Sequence, residues 1–154
     1  MVFISTAAAQ SFPDNLTGTW AGVMRMYKDG KVRDSVNIRF TVKPGTAPNT
    51  WSWKTDYLSA KMPMTKDYTL RLLNQATQTY ELDEGGGVVL NDYLVGDKLY
   101  CVFETHEVML TSTYELRDGA LIFEVTSGKK LGEQSDVVNY SVQHVQRAIL
   151  HRLP

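Results

Sequence analysis

The side chains able to do chemistry are few in this chain, and they are scattered. Three histidines stand at His106, His144 and His151, and the single cysteine is Cys101. A zinc site needs several such groups converging on one ion, and no spaced His/Cys/Asp cluster occurs. His106 lies in Glu104-Thr105-His106-Glu107, which reads as a hairpin tip, and His151 is close to the last residue. Both are expected in solvent. His144 falls in the last apolar segment. Turned inward, its neutral imidazole could ligate a haem iron; turned outward or satisfied in the core, it is structural. Cys101 sits in Leu99-Tyr100-Cys101-Val102-Phe103, where alternation makes it a small buried hydrophobe in preference to a reactive thiol. Without a second cysteine it forms no internal disulfide. Gly85-Gly86-Gly87 follows Asp83-Glu84, whose charges repel phosphate, so the run reads as a hairpin loop. Asp92 interrupts an apolar stripe in Leu90-Asn91-Asp92-Tyr93, either as a turn residue or as a polar anchor at the mouth of a barrel. No nucleophile elbow, phosphate loop or metalloprotease word is present. No residue is therefore assigned a catalytic role, and the chain reads as a binder before an enzyme.

Composition sets the frame. The 154 residues are 43% apolar, which suits one domain with a core of its own. Lys and Arg number 16 against 17 Asp and Glu, for a net charge of −1. With no like-charge run, nothing points to a nucleic-acid partner. No apolar run approaches the ~20 residues of a membrane helix, so no transmembrane segment is expected. Val2-Phe3-Ile4 followed by Ser5-Thr6-Ala7-Ala8-Ala9-Gln10 looks like the back end of a secretory signal, with Ala7-x-Ala9 as a small-residue cleavage site. This predicts a periplasmic or secreted protein whose mature part begins near Gln10. The basic region of a full signal is missing, and the alternative is a flexible tail on a cytoplasmic protein. Residues 1–12 are thus set apart as tail or signal remnant, and residues 13–154 as the domain.

The elements that must position any site are strands. Asp29-Gly30 and Asp118-Gly119 suit the positive φ angles of type I′ hairpins. Further turn signals stand at Pro44-Gly45, Glu84 to Gly87, Gly96-Asp97 and Ser127-Gly128. Between them apolar and polar residues alternate, as along half-buried strands. Val32, Val36, Ile38, Phe40 and Val42 share one face, as do Trp51, Trp53 and Tyr57; Tyr68, Leu70 and Leu72; Leu99, Cys101 and Phe103; Leu110, Tyr114 and Leu116; and Leu121, Phe123 and Val125. In 137–151 the apolar parity changes between Tyr140, Val142 and Val145, Ile149, which predicts a bulge. Residues 58–66 are the one stretch that could support a helical turn. About ten strands result. Closing them removes vulnerable edges, so the expected fold is all-β, a single antiparallel up-and-down β-barrel. A two-sheet β-sandwich is the alternative, since its strands alternate too.

The first strand opens with Asn15-Leu16-Thr17-Gly18-Thr19-Trp20-Ala21-Gly22. This Gly-x-Trp-x-Gly word at the mouth of an all-β chain resembles calycin barrels: lipocalins, fatty-acid-binding proteins, avidins and haem-binding nitrobindins. The resemblance implies that Trp20 plugs the closed end, between Gly18 and Gly22, beneath an arginine of the last strand. Arg147 and Arg152 are the candidates, and a guanidinium over an indole adds roughly 1–2 kcal/mol when desolvated. The tight Asp29-Gly30 hairpin leaves no room for the helical lid of fatty-acid-binding proteins. Trp51 and Trp53, adjacent in one segment, fall short of the pocket tryptophans of avidins. Nitrobindins place a third glycine where this chain has Met24, and bind haem through a last-strand histidine, here His144. The lipocalin-like reading implies a non-enzymatic carrier of a small hydrophobic molecule with no cofactor. Its expected lining is Met24, Met26, Ile38, Phe40, Trp53, Tyr68, Tyr80, Phe103 and Tyr114. Two alternatives stay open: a nitrobindin-like haem protein acting on nitric oxide or peroxide species, and a protein–protein interaction module with a filled barrel.

Overall fold

In a computed structural model, which describes residues 9–132 and 136–154, ten antiparallel strands close into one barrel. They are β1 (Gly18–Lys28), β2 (Lys31–Pro44), β3 (Thr50–Tyr57), β4 (Met64–Asn74), β5 (Thr79–Gly85), β6 (Val88–Val95), β7 (Lys98–Thr105), β8 (Val108–Arg117), β9 (Ala120–Lys129) and β10 (His144–Arg152). Each pairs with its sequence neighbour, and β1 pairs with β10 to complete the ring. The barrel reading holds and the sandwich is set aside. Residues 1–8, with most of the signal-like segment, lie outside the described residues.

Local chemistry explains the short connections. Asp29 and Gly30 have φ of 51° and 71°, and Asp118 and Gly119 of 51° and 77°, as type I′ turns require. The chain enters through a single helical turn, α1 (Phe12–Asn15), capped by Ser11, with a proline at its start. Phe12 and Leu16 are buried against the barrel, so the folded unit reaches back before residue 13. Residues 58–63 form a loop and β4 begins at Met64, so the helical turn expected over 58–66 does not form.

Alternation places the inner face as expected on β3, where Trp51, Trp53, Thr55 and Tyr57 are buried and their neighbours are not. The last segment departs from expectation. Val142 and Ile149 are exposed, while Ala148 and Leu150 are buried; the expected bulge lies just before β10, where the pairing shifts by one residue between Lys130–Tyr140 and Ser127–His144. Ala148 and Leu150 define the inner stripe, and small Ala148 faces the large Phe123. Another register shift stands between Met26 and Tyr27 of β1.

The connections β2–β3, β4–β5, β6–β7 and β8–β9 gather with α1 at one end, the closed end. The hairpins at 29–30, 86–87 and 106–107, the 58–63 loop and the β9–β10 connection surround the other, open end.

Candidate ligand site inside the barrel

The closed end is sealed. Trp20 is 1% exposed and its indole N–H donates to the Leu16 carbonyl at 2.9 Å. The Arg152 guanidinium lies 4.3 Å from the Trp20 ring centroid and donates to the carbonyl oxygens of Thr17 and Asn15, the latter at 2.6 Å. Arg147 takes no part in this seal. It points outward, 3.6 Å from Glu124, because it has the opposite parity to Ala148, Leu150 and Arg152. A Cβ at Gly22 would collide with the Ile149 carbonyl oxygen, so glycine is what lets β1 and β10 approach. Gly18 has φ of 124°, and a Cβ there would lie 2.8 Å from an Arg152 guanidinium nitrogen. Asp14 of α1 accepts from the Trp51 indole at 2.8 Å and from Ser11 Oγ at 2.6 Å. Burial opposes the charge on Asp14, but these hydrogen bonds outweigh it and lower its pKa.

Above the seal the barrel is filled with rings. Tyr114 stacks on Phe123 (4.4 Å, 8°) and on Phe40 (5.3 Å, 28°). Trp53 meets Phe40 and Tyr114 edge-on at 5.0 and 5.1 Å, a favoured arrangement of aromatic quadrupoles. Met24, Ile38, Phe40, Trp53 and Tyr80, expected to line a cavity, are buried in this packed core. Ten strands widen the barrel, and four rings occupy the added space. Met26 is half-buried toward the rim of the open end.

A cavity of about 80 Å³ remains toward the open end. Tyr68, Phe103 and Tyr114 line it, three of the nine residues expected there. With them stand Thr55, Tyr57, Lys66, Leu82, Glu84, Leu110, Ser112, Phe123 and Val125. The wall is therefore mixed, with one cation (Lys66), one carboxylate (Glu84) and five hydroxyl-bearing groups. Burial pushes the Tyr68 phenol up to about 12, with the Glu84 charge adding to the shift. Burial also raises Tyr57, and holds Tyr114 well above the ordinary tyrosine range. These phenols keep their protons at neutral pH and serve as neutral donors and acceptors.

Asp92 is the interior's acid. It is 1% exposed, and its Oδ1 has no hydrogen-bond partner. Burial pushes its pKa up to about 7; the hydrogen bond from the Cys101 thiol opposes that shift, and the Glu84 charge adds to it. Cys101 is buried and unreactive, its own pKa raised by burial and by Asp92. Trp53 Nε1 is the other buried polar atom without a partner among the described residues.

The histidines stand apart from the cavity. His106 is at a hairpin tip with φ of 48°, and His151 is exposed on β10. His144 is the exposed first residue of β10, paired with Lys28 and Ser127 at the open end. A haem macrocycle does not fit this arrangement, since the inner cavity is far smaller than the several hundred Å³ of a typical cofactor site and His144 is not on its wall. No group of His, Cys, Asp and Glu among the described residues could hold a metal ion.

No family model matches the chain, and no curated protein matches it. Solved structures do. The S-type phycobiliprotein lyase CPES from Guillardia theta superposes with a TM-score of 0.65 and 8% identity, over 97% of this chain and 94% of that one. The fluorescent protein UnaG superposes with a TM-score of 0.51 and 15% identity, over 91% of this chain and 98% of that one. At such identities the likeness is one of fold: a calycin-type barrel.

Proposed function

We propose that the protein is a non-enzymatic binder of a small, largely apolar molecule, held under the open mouth of the barrel. The supporting observation is the mixed-wall cavity of about 80 Å³, on an otherwise packed interior. A dry cavity of ~150 Å³ takes a benzene ring, so this one takes a smaller compact group or one end of a longer molecule. Apolar burial supplies affinity at roughly 25 cal/mol per Å², less the cost of association. The phenols of Tyr68 and Tyr114, with Ser112, fix orientation. The Ala7-x-Ala9 triplet supports placing such a carrier outside the cytoplasm.

Native mass spectrometry of protein purified from its own cells tests the reading. The expected result is a copurifying small mass that Leu110→Trp, which fills the cavity, removes. A bare mass for the wild-type chain, or a ligand that survives the filling variant, counts against it.

One observation favours the interaction-module reading as a second function. On the outer face of β6 and β7, Val89, Tyr93, Val95, Tyr100 and Val102 are all exposed, Val102 at 64%. Contiguous apolar surface of this kind marks interaction sites.

A further inference from the structure

The barrel wall has one weak seam. β6 and β7 pair only at Tyr93–Tyr100, Leu94–Leu99 and Val95–Lys98, near the closed end. By contrast, β8 and β9 pair at every position from Val108–Lys129 to Arg117–Ala120. Toward the open mouth β6 is held by β5 alone and β7 by β8 alone. Asp92 and Cys101 stand where the two strands part, as the next positions of the interrupted ladder.

An unpartnered carboxylate oxygen in this interior costs roughly 1–3 kcal/mol, and nothing among the described residues compensates Asp92 Oδ1. We propose that Asp92 is the polar anchor of the ligand site, and that it takes a compact ligand bearing a nitrogen-borne hydrogen-bond donor, an amine or an N–H heterocycle. This rests on the ligand-binding reading above and narrows its chemistry.

Three features support the assignment. An orphan carboxylate oxygen calls for a donor, and the Cys101 thiol already serves the same carboxyl group. The Glu84 charge acts on Asp92 as well, so the local field favours a positive or donating group over an acceptor. The site also adjoins the cavity. Cys101 pairs with Ser112 and Ser112 with Val125, both on the cavity wall, and the Asp92 charge reaches Tyr114, another wall residue.

Imidazole and furan test this. They are five-membered rings of nearly equal size, and only imidazole carries an N–H. Each is titrated into the full chain and followed by backbone amide chemical shifts. The expected result is imidazole binding about tenfold or more tighter than furan, as one hydrogen bond to a charged group allows, with shifts at Asp92, Cys101 and Ser112. Asp92→Asn, which keeps an acceptor oxygen but loses the charge, should narrow the preference for imidazole and leave furan unchanged. Asp92→Leu, which removes the polar group altogether, should bring imidazole down to the furan level. Equal binding of the two rings, or a preference that survives both variants, overturns the anchor while leaving the cavity reading intact. Binding of neither ring overturns both.

Discussion

The two ends of this barrel solve opposite problems with the same alternating strands. At the closed end the polar groups of the seal have partners: the Trp20 N–H meets the Leu16 carbonyl, and Arg152 meets the ring and two backbone oxygens. Toward the open end the ladder between β6 and β7 stops, a carboxylate oxygen is left without a partner, and about 80 Å³ stays empty. Stability is concentrated where the chain's two ends meet. The empty space lies toward the end where the β6–β7 pairing stops.

If that division is right, truncation at the two ends should differ most. Trp20→Ala removes the fully buried plug and should cost about 3–5 kcal/mol, whereas Phe103→Ala, on a wall that already borders empty space, should cost about 1 kcal/mol. Urea unfolding of both variants gives the comparison, and equal losses would break it. The next effect is one of pH. The folded Asp92 titrates near 7, above the ~3.8 of an unfolded carboxyl. Between those values the native state holds a proton that the unfolded state has released, so stability falls as pH rises through this window. The slope is about 1.4 kcal/mol per pH unit at most, and below pH ~4 the penalty vanishes. Asp92→Asn should flatten this dependence in urea midpoints taken from pH 4 to 7; an unchanged slope would mean that Asp92 is not the group responsible. The smallest effect separates two arginines five residues apart. Arg152→Gln loses the indole contact and two hydrogen bonds and should cost about 1–2 kcal/mol. Arg147→Gln breaks only an exposed pair and should stay within about 0.5 kcal/mol. Thermal unfolding of the two single variants resolves them.

Much of the architecture was legible before any coordinates. Asp-Gly turns and period-2 stripes carry strand number and facing directly, because side chains must alternate across a pleated strand. Depth along the barrel axis has no such code. Phe40 and Tyr68 both point inward, yet Phe40 is stacked in the core and Tyr68 borders the cavity; only the stagger of ten strands decides between them. Parity does hold information that an apolar count overlooks. Glu84 shares the face of Leu82, and Lys66 that of Tyr68, which places both charges on the inner wall. The same test selects Arg152, in step with Ala148 and Leu150, over Arg147. The expected stripe of Val145 and Ile149 failed for a related reason: the inner residues there include a small alanine opposite Phe123, and hydrophobicity alone ranked it too low.

The β1–β10 seam has a consequence for how the protein comes into being. Trp20 pairs with Arg152, and Met24 with Ala148, so the contacts that shut the barrel join its first strand to its tenth. A chain still on the ribosome, lacking β10, exposes the free edges of β1 and β9 and leaves Trp20 without its guanidinium. Closure therefore waits until β10 has been made, and long-range strand pairing of this kind is slow in β-protein folding. Conditions that delay the synthesis of β10 lengthen the time during which two unpaired edges are open to the wrong partner.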